Sequence, residues 1–155
     1  MRYRMTVRDE PPRRLLALEH RGPYPGIAGT FDSLFATFLA CNRPDQVQAV
    51  IGIFPHDPKA VRPATLRSLA AIAVATDTPR PDGLEDIALP GGPTAVLRFQ
   101  GPYSFIPAAY EWLHGLWLPA SGRRPAKALP YEIYVNSPRD TAPLDLLTDI
   151  CVPLR

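Results

Sequence analysis

A carboxylate and a phenol stand two residues apart in Pro130-Tyr131-Glu132-Ile133-Tyr134-Val135-Asn136-Ser137-Pro138, an alternating run closed by proline at both ends. Successive side chains of a strand point to opposite faces, so Glu132, Tyr134 and Asn136 share one face while Ile133 and Val135 share the other. An acid beside a phenol on a rigid strand suits two kinds of chemistry. It can receive an organic cation, because a carboxylate and aromatic faces attract the same ligand, each cation–π contact adding about 0.5–2 kcal/mol. It can also move a proton, with Glu132 as general acid or base and Tyr134 as a hydrogen-bond donor. The competing reading is a strand carboxylate satisfied by a neighbouring arginine or by backbone amides.

The rest of the chain must supply the elements that hold this face and build a cleft over it. Alternation predicts strands over 3–7 and 14–20. Gly22-Pro23-Tyr24 reads as a turn, and Ile27, Phe31, Leu34 and Phe38 then fall on one stripe of a helix, with Pro25 in its first turn and an end before Pro44. A strand over 47–54 and an apolar run over 69–74 follow. Strands over 84–89 and 94–99 flank Gly91-Gly92, which reads as a hairpin turn. Gly101-Pro102-Tyr103 opens a second helix, with Ser104 as its cap, Ile106, Tyr110, Leu113 and Trp117 as its stripe and Pro119 as its stop. The Glu132 strand and an apolar segment over 144–154 complete the chain.

The second half repeats the first. The two Gly-Pro-Tyr turns lie 79 residues apart, and the same offset carries Phe31 onto Tyr110, Leu34 onto Leu113 and Phe38 onto Trp117. An offset of 80 carries Pro58 onto Pro138 and Pro63 onto Pro143. This predicts an α+β protein of duplicated β-β-α-β-β modules, antiparallel sheets with helices, related by a pseudo-twofold axis. The domain spans 1–155, with repeats over about 1–76 and 83–155 and a linker over about 77–82. The copies differ where chemistry is at stake: Glu132 maps back onto Gly52 and Tyr134 onto Phe54. Packing alone does not call for an acid in that strand.

Other aromatic residues are candidates for the same site, each with a structural alternative. Tyr24 and Tyr103 belong to the turns and can pack across the helix starts. Phe54 is ligand-facing or core. Trp112 lies off the helix stripe, where reaching the cleft edge and plain packing are evenly open readings, whereas Trp117 lies on the stripe, where core packing is the simpler reading. Asn136 ends the strand in a turn.

Composition excludes several classes. With 46% hydrophobic and 21% charged residues the chain can bury a core and stay in solution. Its 20 prolines sit at the ends of apolar runs, as punctuation. The net charge of +2, from 17 basic and 15 acidic residues, is scattered, so no direct nucleic-acid interface is expected. No apolar run is long enough for a membrane helix and no signal segment opens the chain, which points to a cytoplasmic location. Cys41 and Cys151 suit a reducing compartment. His20, His56 and His114 have no metal-ligand spacing, and no nucleotide fingerprint appears, so neither metal nor cofactor is expected.

Together, His20-Arg21-Gly22-Pro23-Tyr24, the Gly52 strand with Asp57-Pro58, Gly101-Pro102-Tyr103, Trp117-Leu118-Pro119, Tyr131-Glu132-Ile133-Tyr134 and Thr148-Asp149-Ile150-Cys151-Val152-Pro153-Leu154 resemble the GyrI-like small-molecule-binding domain, the AraC-type effector-binding domain of bacterial regulators. The resemblance spans nearly the whole chain. It implies two modules facing each other across a ligand cleft, with Glu132 at its base among aromatic side chains and Tyr134 beside it. The implied ligand is an aromatic or cationic small molecule. Two other roles come with the family: hydrolysis of strained, cyclopropane-bearing electrophiles, with Glu132 as general acid or base beside Tyr134, and binding of a protein partner such as DNA gyrase. The first repeat departs from the family in reading Arg67-Ser68-Leu69 where relatives tend to carry Arg-Tyr-Asp, which leaves Glu132 as the main acid. No helix-turn-helix flanks the domain, so a stand-alone binding module is expected.

Overall fold

A computed structural model of the chain describes residues 3–55 and 60–155; His56 and Asp57-Pro58, with the match of Pro58 to Pro138, lie outside the described residues. In chain order the elements are β1 (Arg4–Glu10), β2 (Arg13–Arg21), α1 (Ile27–Leu39), β3 (Ala49–Ile53), β4 (Arg67–Val74), β5 (Glu85–Leu89), β6 (Gly92–Gln100), α2 (Ile106–Trp112), α3 (Leu118–Ser121), β7 (Tyr131–Tyr134) and β8 (Leu147–Pro153). The architecture is α+β and follows the ββαββ plan twice, with all strand pairs antiparallel.

Two compact units result. Unit 1 comprises Met1–Pro11 and Gly91–Arg155, and unit 2 comprises Pro12–Pro90. In unit 1 the strands lie in the order β1-β6-β8-β7, and in unit 2 in the order β5-β2-β4-β3. The first strand of each sequence repeat is thus paired with the second strand of the other: β1 with β6, and β5 with β2. Gly91-Gly92 is therefore not a hairpin turn. Gly91 and Gly92 take φ of 75° and 108° where the chain leaves β5 of unit 2 and enters β6 of unit 1. Alternation specifies which face of a strand is buried and leaves its partner open.

The repeated turns are built alike. Gly22 and Gly101 have φ of 109° and 143°, a region that disfavours a side chain, and their N–H groups donate to the carbonyls of Leu66 (2.8 Å) and Leu146 (2.9 Å). Each is followed by a single 3₁₀ turn, Tyr24–Gly26 or Tyr103–Phe105, before its helix. Ser104 lies inside the second of these turns, and the cap position of α2 is Phe105. Matching 3₁₀ turns at Pro63–Thr65 and Pro143–Asp145 lead into β4 and β8. Proline suits such first turns, since its missing N–H has no helical acceptor there.

Pro119 does not stop the second helix. A π-helical turn over Leu113–Trp117, in which the Leu118 N–H reaches back to the Leu113 carbonyl, takes up an extra residue. Pro119 then falls at the start of α3, where its ring is tolerated, and the helix ends at Gly122 with φ of 70°.

Each unit has its own core. In unit 1, Ile106, Ala109, Leu113 and Leu118 cover Ala95, Leu97, Phe99, Ile150, Val152 and Leu154. In unit 2, Leu34 and Phe38 of α1 cover Leu16, Ala70, Ile72 and Val74. A buried Leu or Ile of this kind contributes about 1.5–3 kcal/mol. The stretch 77–82 joins β4 to β5, both in unit 2, and is tied down by Arg14, which donates to the carbonyl of Thr78 (2.6 Å) and pairs with Asp86 (2.8 Å). No helix of the described residues is long and apolar enough to cross a membrane.

Candidate functional site

Register fixes where the acid points. Glu132 and Tyr134 lie opposite Ile150 and Thr148 of β8, and Ile150 belongs to the face that α2 covers. Directly paired residues project from the same face of a sheet, so Glu132 and Tyr134 also point under the helix. Glu132 is 5% exposed. Tyr134 donates its hydroxyl to Oε1 at 2.9 Å, and Tyr110, descending from α2, donates to Oε2 at 2.8 Å. Each carboxylate oxygen therefore has one phenol. Asn136, on the same face by alternation, is committed to the backbone: its Oδ1 accepts the Leu147 N–H (2.8 Å) and its Nδ2 donates to the Asp145 carbonyl (3.0 Å), which holds the end of β7 in place.

The other buried carboxylates among the described residues are paired with arginine. Asp149, on the opposite face of β8, is bound by Arg98 (Nη2 to Oδ2, 3.0 Å) with Arg8 at 3.7 Å, and Glu10 pairs with Arg8 at 2.8 Å. Glu132 has phenols and, among the described residues, no Lys, Arg or His within 4 Å of its carboxylate oxygens. Burial pushes its pKa above the usual carboxylate value, and the two phenolic hydrogen bonds offset part of that rise. Burial and then the Glu132 charge hold the Tyr110 and Tyr134 phenols well above their ordinary pKa, so both remain donors at neutral pH.

Around this trio lie two further rings. Tyr103 meets Tyr134 edge to face, with centroids 5.6 Å apart at 60°, and its phenol pKa is raised by burial and then by the Glu132 charge. His114 stacks on Tyr110 at 6.2 Å and 11°, and burial lowers its pKa. Of the residues singled out in the sequence, Glu132, Tyr134 and Tyr103 come together here. Tyr24 and Phe54 form their own edge-to-face pair in unit 2, 4.9 Å apart at 62°. Trp112 packs on Tyr3 (5.0 Å) and, like Trp117, lies partly buried against the core cluster of unit 1.

Tyr110 is the residue that sequence reasoning passes over, because it sits on the helix stripe and reads as core. A signal was present: the offset that turns Phe54 into Tyr134 has a counterpart that turns Phe31 into Tyr110, so both hydroxyls that bind Glu132 are absent from the first copy. Chemically, the arrangement offers a buried negative charge, oriented by neutral donors and bordered by aromatic rings. Among the described residues no group of three His, Cys, Asp or Glu side chains could hold a metal ion.

Comparison with known proteins bears on the family and the fold. A DNA gyrase inhibitor from Yersinia enterocolitica is 27% identical over 143 residues, covering 89% of this chain and 90% of the relative. The C-terminal domain of EcmrR superposes over the whole chain with a TM-score of 0.85 at 15% identity, covering 99% of that domain; the chain spans 57% of the EcmrR polypeptide in its DNA complex. SAV2435, in a structure bound to tetraphenylphosphonium, matches with a TM-score of 0.65 at 16% identity, covering all of this chain and 94% of the other. These structural likenesses are likenesses of fold. The family match extends over residues 4–155, and the chain belongs to the GyrI-like small molecule binding domain family.

Proposed function

We propose that this chain binds organic cations with aromatic or otherwise apolar bodies, and that Glu132 is their counter-ion. The observation that carries this reading is a contrast among the buried carboxylates of the described residues: Glu10 and Asp149 have arginine partners, and Glu132 is bound by the phenols of Tyr110 and Tyr134. A buried anion without a cation is costly, and a ligand that brings the missing charge recovers part of that cost. The rings of Tyr103, Tyr110 and Tyr134 add cation–π attraction for a delocalised charge. The tetraphenylphosphonium held by a protein of the same fold is a ligand of this class. Calorimetric titration with tetraphenylphosphonium tests the reading: saturable binding by the wild type that is lost in Glu132→Gln supports it, and equal binding by both proteins overturns it.

A second reading rests on the same carboxyl group. With its pKa raised and two phenols beside it, Glu132 is suited to exchange a proton with water or a carbonyl during hydrolysis of a strained electrophile. Catalytic appearance of a water adduct by mass spectrometry, absent in Glu132→Gln, is the expected result. Stoichiometric binding without turnover removes this reading and leaves the first.

A further inference from the structure

Two interior hydroxyls are unaccounted for by packing. Ser68 and Thr148 are fully buried, and among the described residues neither side-chain oxygen has a hydrogen-bond partner. They occupy equivalent places: Ser68 stands opposite His20 in unit 2, and Thr148 stands between Phe99 and Tyr134 in unit 1. A buried hydroxyl left unpaired costs free energy that an apolar side chain of the same shape avoids.

In unit 1 the position of that hydroxyl matters. Thr148 lies on the face of β8 that also carries Ile150, one residue pair away from Glu132, with Tyr134 directly across. The phenols of Tyr110 and Tyr134 are already committed to the carboxylate. Among the described residues Thr148 is an uncommitted hydroxyl on the face of the acid, flanked across the strands by Phe99 and Tyr134. Tyr103, whose ring meets Tyr134, is 36% exposed and forms the solvent-facing side of this group of rings.

We infer that Thr148 is a specificity-determining residue that selects, among organic cations, those whose ring system carries a hydrogen-bonding oxygen or nitrogen. The inference rests on the cation-binding reading of Glu132. A threonine hydroxyl both donates and accepts, so a phenol, ether, carbonyl or aromatic amine on the ligand satisfies it. A purely hydrocarbon cation meets the charge of Glu132 and leaves Thr148 unpaired. Ser68, in the unit with no such carboxylate, serves as the internal control for a merely structural role.

The matched probes are tetraphenylphosphonium and (4-hydroxyphenyl)triphenylphosphonium, which differ by one hydroxyl, titrated calorimetrically into the full chain. The wild type should prefer the hydroxylated cation by roughly three- to tenfold, the worth of one net hydrogen bond. Thr148→Val should bring the two cations to the same affinity, Thr148→Ser should keep the preference, and Ser68→Ala should leave it as in the wild type. Thr148→Val and Ser68→Ala should both raise the melting temperature, which shows that they are folded. A preference that survives Thr148→Val, or that is missing from the wild type while both cations bind, overturns the role of Thr148 alone. Failure of the wild type to bind either cation overturns the cation reading, and this inference with it.

Discussion

Unit 2 places Gly52, Phe31, Phe54 and Tyr24 where unit 1 places Glu132, Tyr110, Tyr134 and Tyr103. The frames are alike: the glycine turns, the 3₁₀ turns and the edge-to-face pairs at 62° and 60° recur in both. What changes is one carboxylate and two hydroxyls, and they change together. A carboxylate in this position is tolerable only with donors on both oxygens, and two buried hydroxyls without an acceptor would themselves be a burden. The difference therefore teaches that Glu132, Tyr110 and Tyr134 form one functional set, and that the aromatic pair belongs to the shared frame.

The comparison is broken most severely by moving the acid. Gly52→Glu should destabilise the protein by about 3–5 kcal/mol in urea denaturation, as an uncompensated buried charge does. Adding Phe31→Tyr and Phe54→Tyr should restore a large part of that loss, since hydrogen bonds to a charged group are worth about 1.5–3 kcal/mol each. Full stability of Gly52→Glu alone would dissolve the idea of a set. In unit 1, Glu132→Gln should weaken tetraphenylphosphonium binding roughly thirtyfold or more, equivalent to about 2 kcal/mol, as read by calorimetry. Tyr110→Phe or Tyr134→Phe makes the second copy more like the first; each should cost about 1–3 kcal/mol at neutral pH and raise the Glu132 pKa further, the latter followed by carboxyl NMR titration.

The smallest effect is the pH dependence. Burial keeps the Glu132 pKa above its ordinary value of 4.5, so the folded chain retains a proton that the unfolded chain has released. The stability contributed by the acid form is present in full below about 4.5 and is lost as pH rises through the folded value. Thermal melts should show wild-type stability falling relative to Glu132→Gln across that interval. Cation affinity should run the other way and rise with pH, because the cation favours the anion and expels the proton.

Much of this was legible in the residues. Period-two alternation put Glu132 and Tyr134 on one face, and the offset between Gly22 and Gly101 revealed the duplication. The pairing of β1 with β6 was not legible, because Met5 and Val7 alternate in the same way whichever strand they join. Tyr110 was hidden because a helix stripe marks what faces the sheet and does not separate a ring that fills the core from one whose hydroxyl reaches a carboxylate. The continuation past Pro119 depends on i→i−5 hydrogen bonding, which has no residue signature.

The exchanged first strands also set an order of events during synthesis. Unit 2 is one unbroken length, Pro12–Pro90, and all its strands have been translated before β6 exists. Strand β1 must wait, since Arg4 pairs with Arg98 and closes a loop of most of a hundred residues. While it waits, Arg4, Arg8 and Asp9 give it the charged edge that discourages pairing with other nascent chains. The acid-bearing unit is thus the later of the two to close: its chemistry is assembled when the other half of the protein can already be folded.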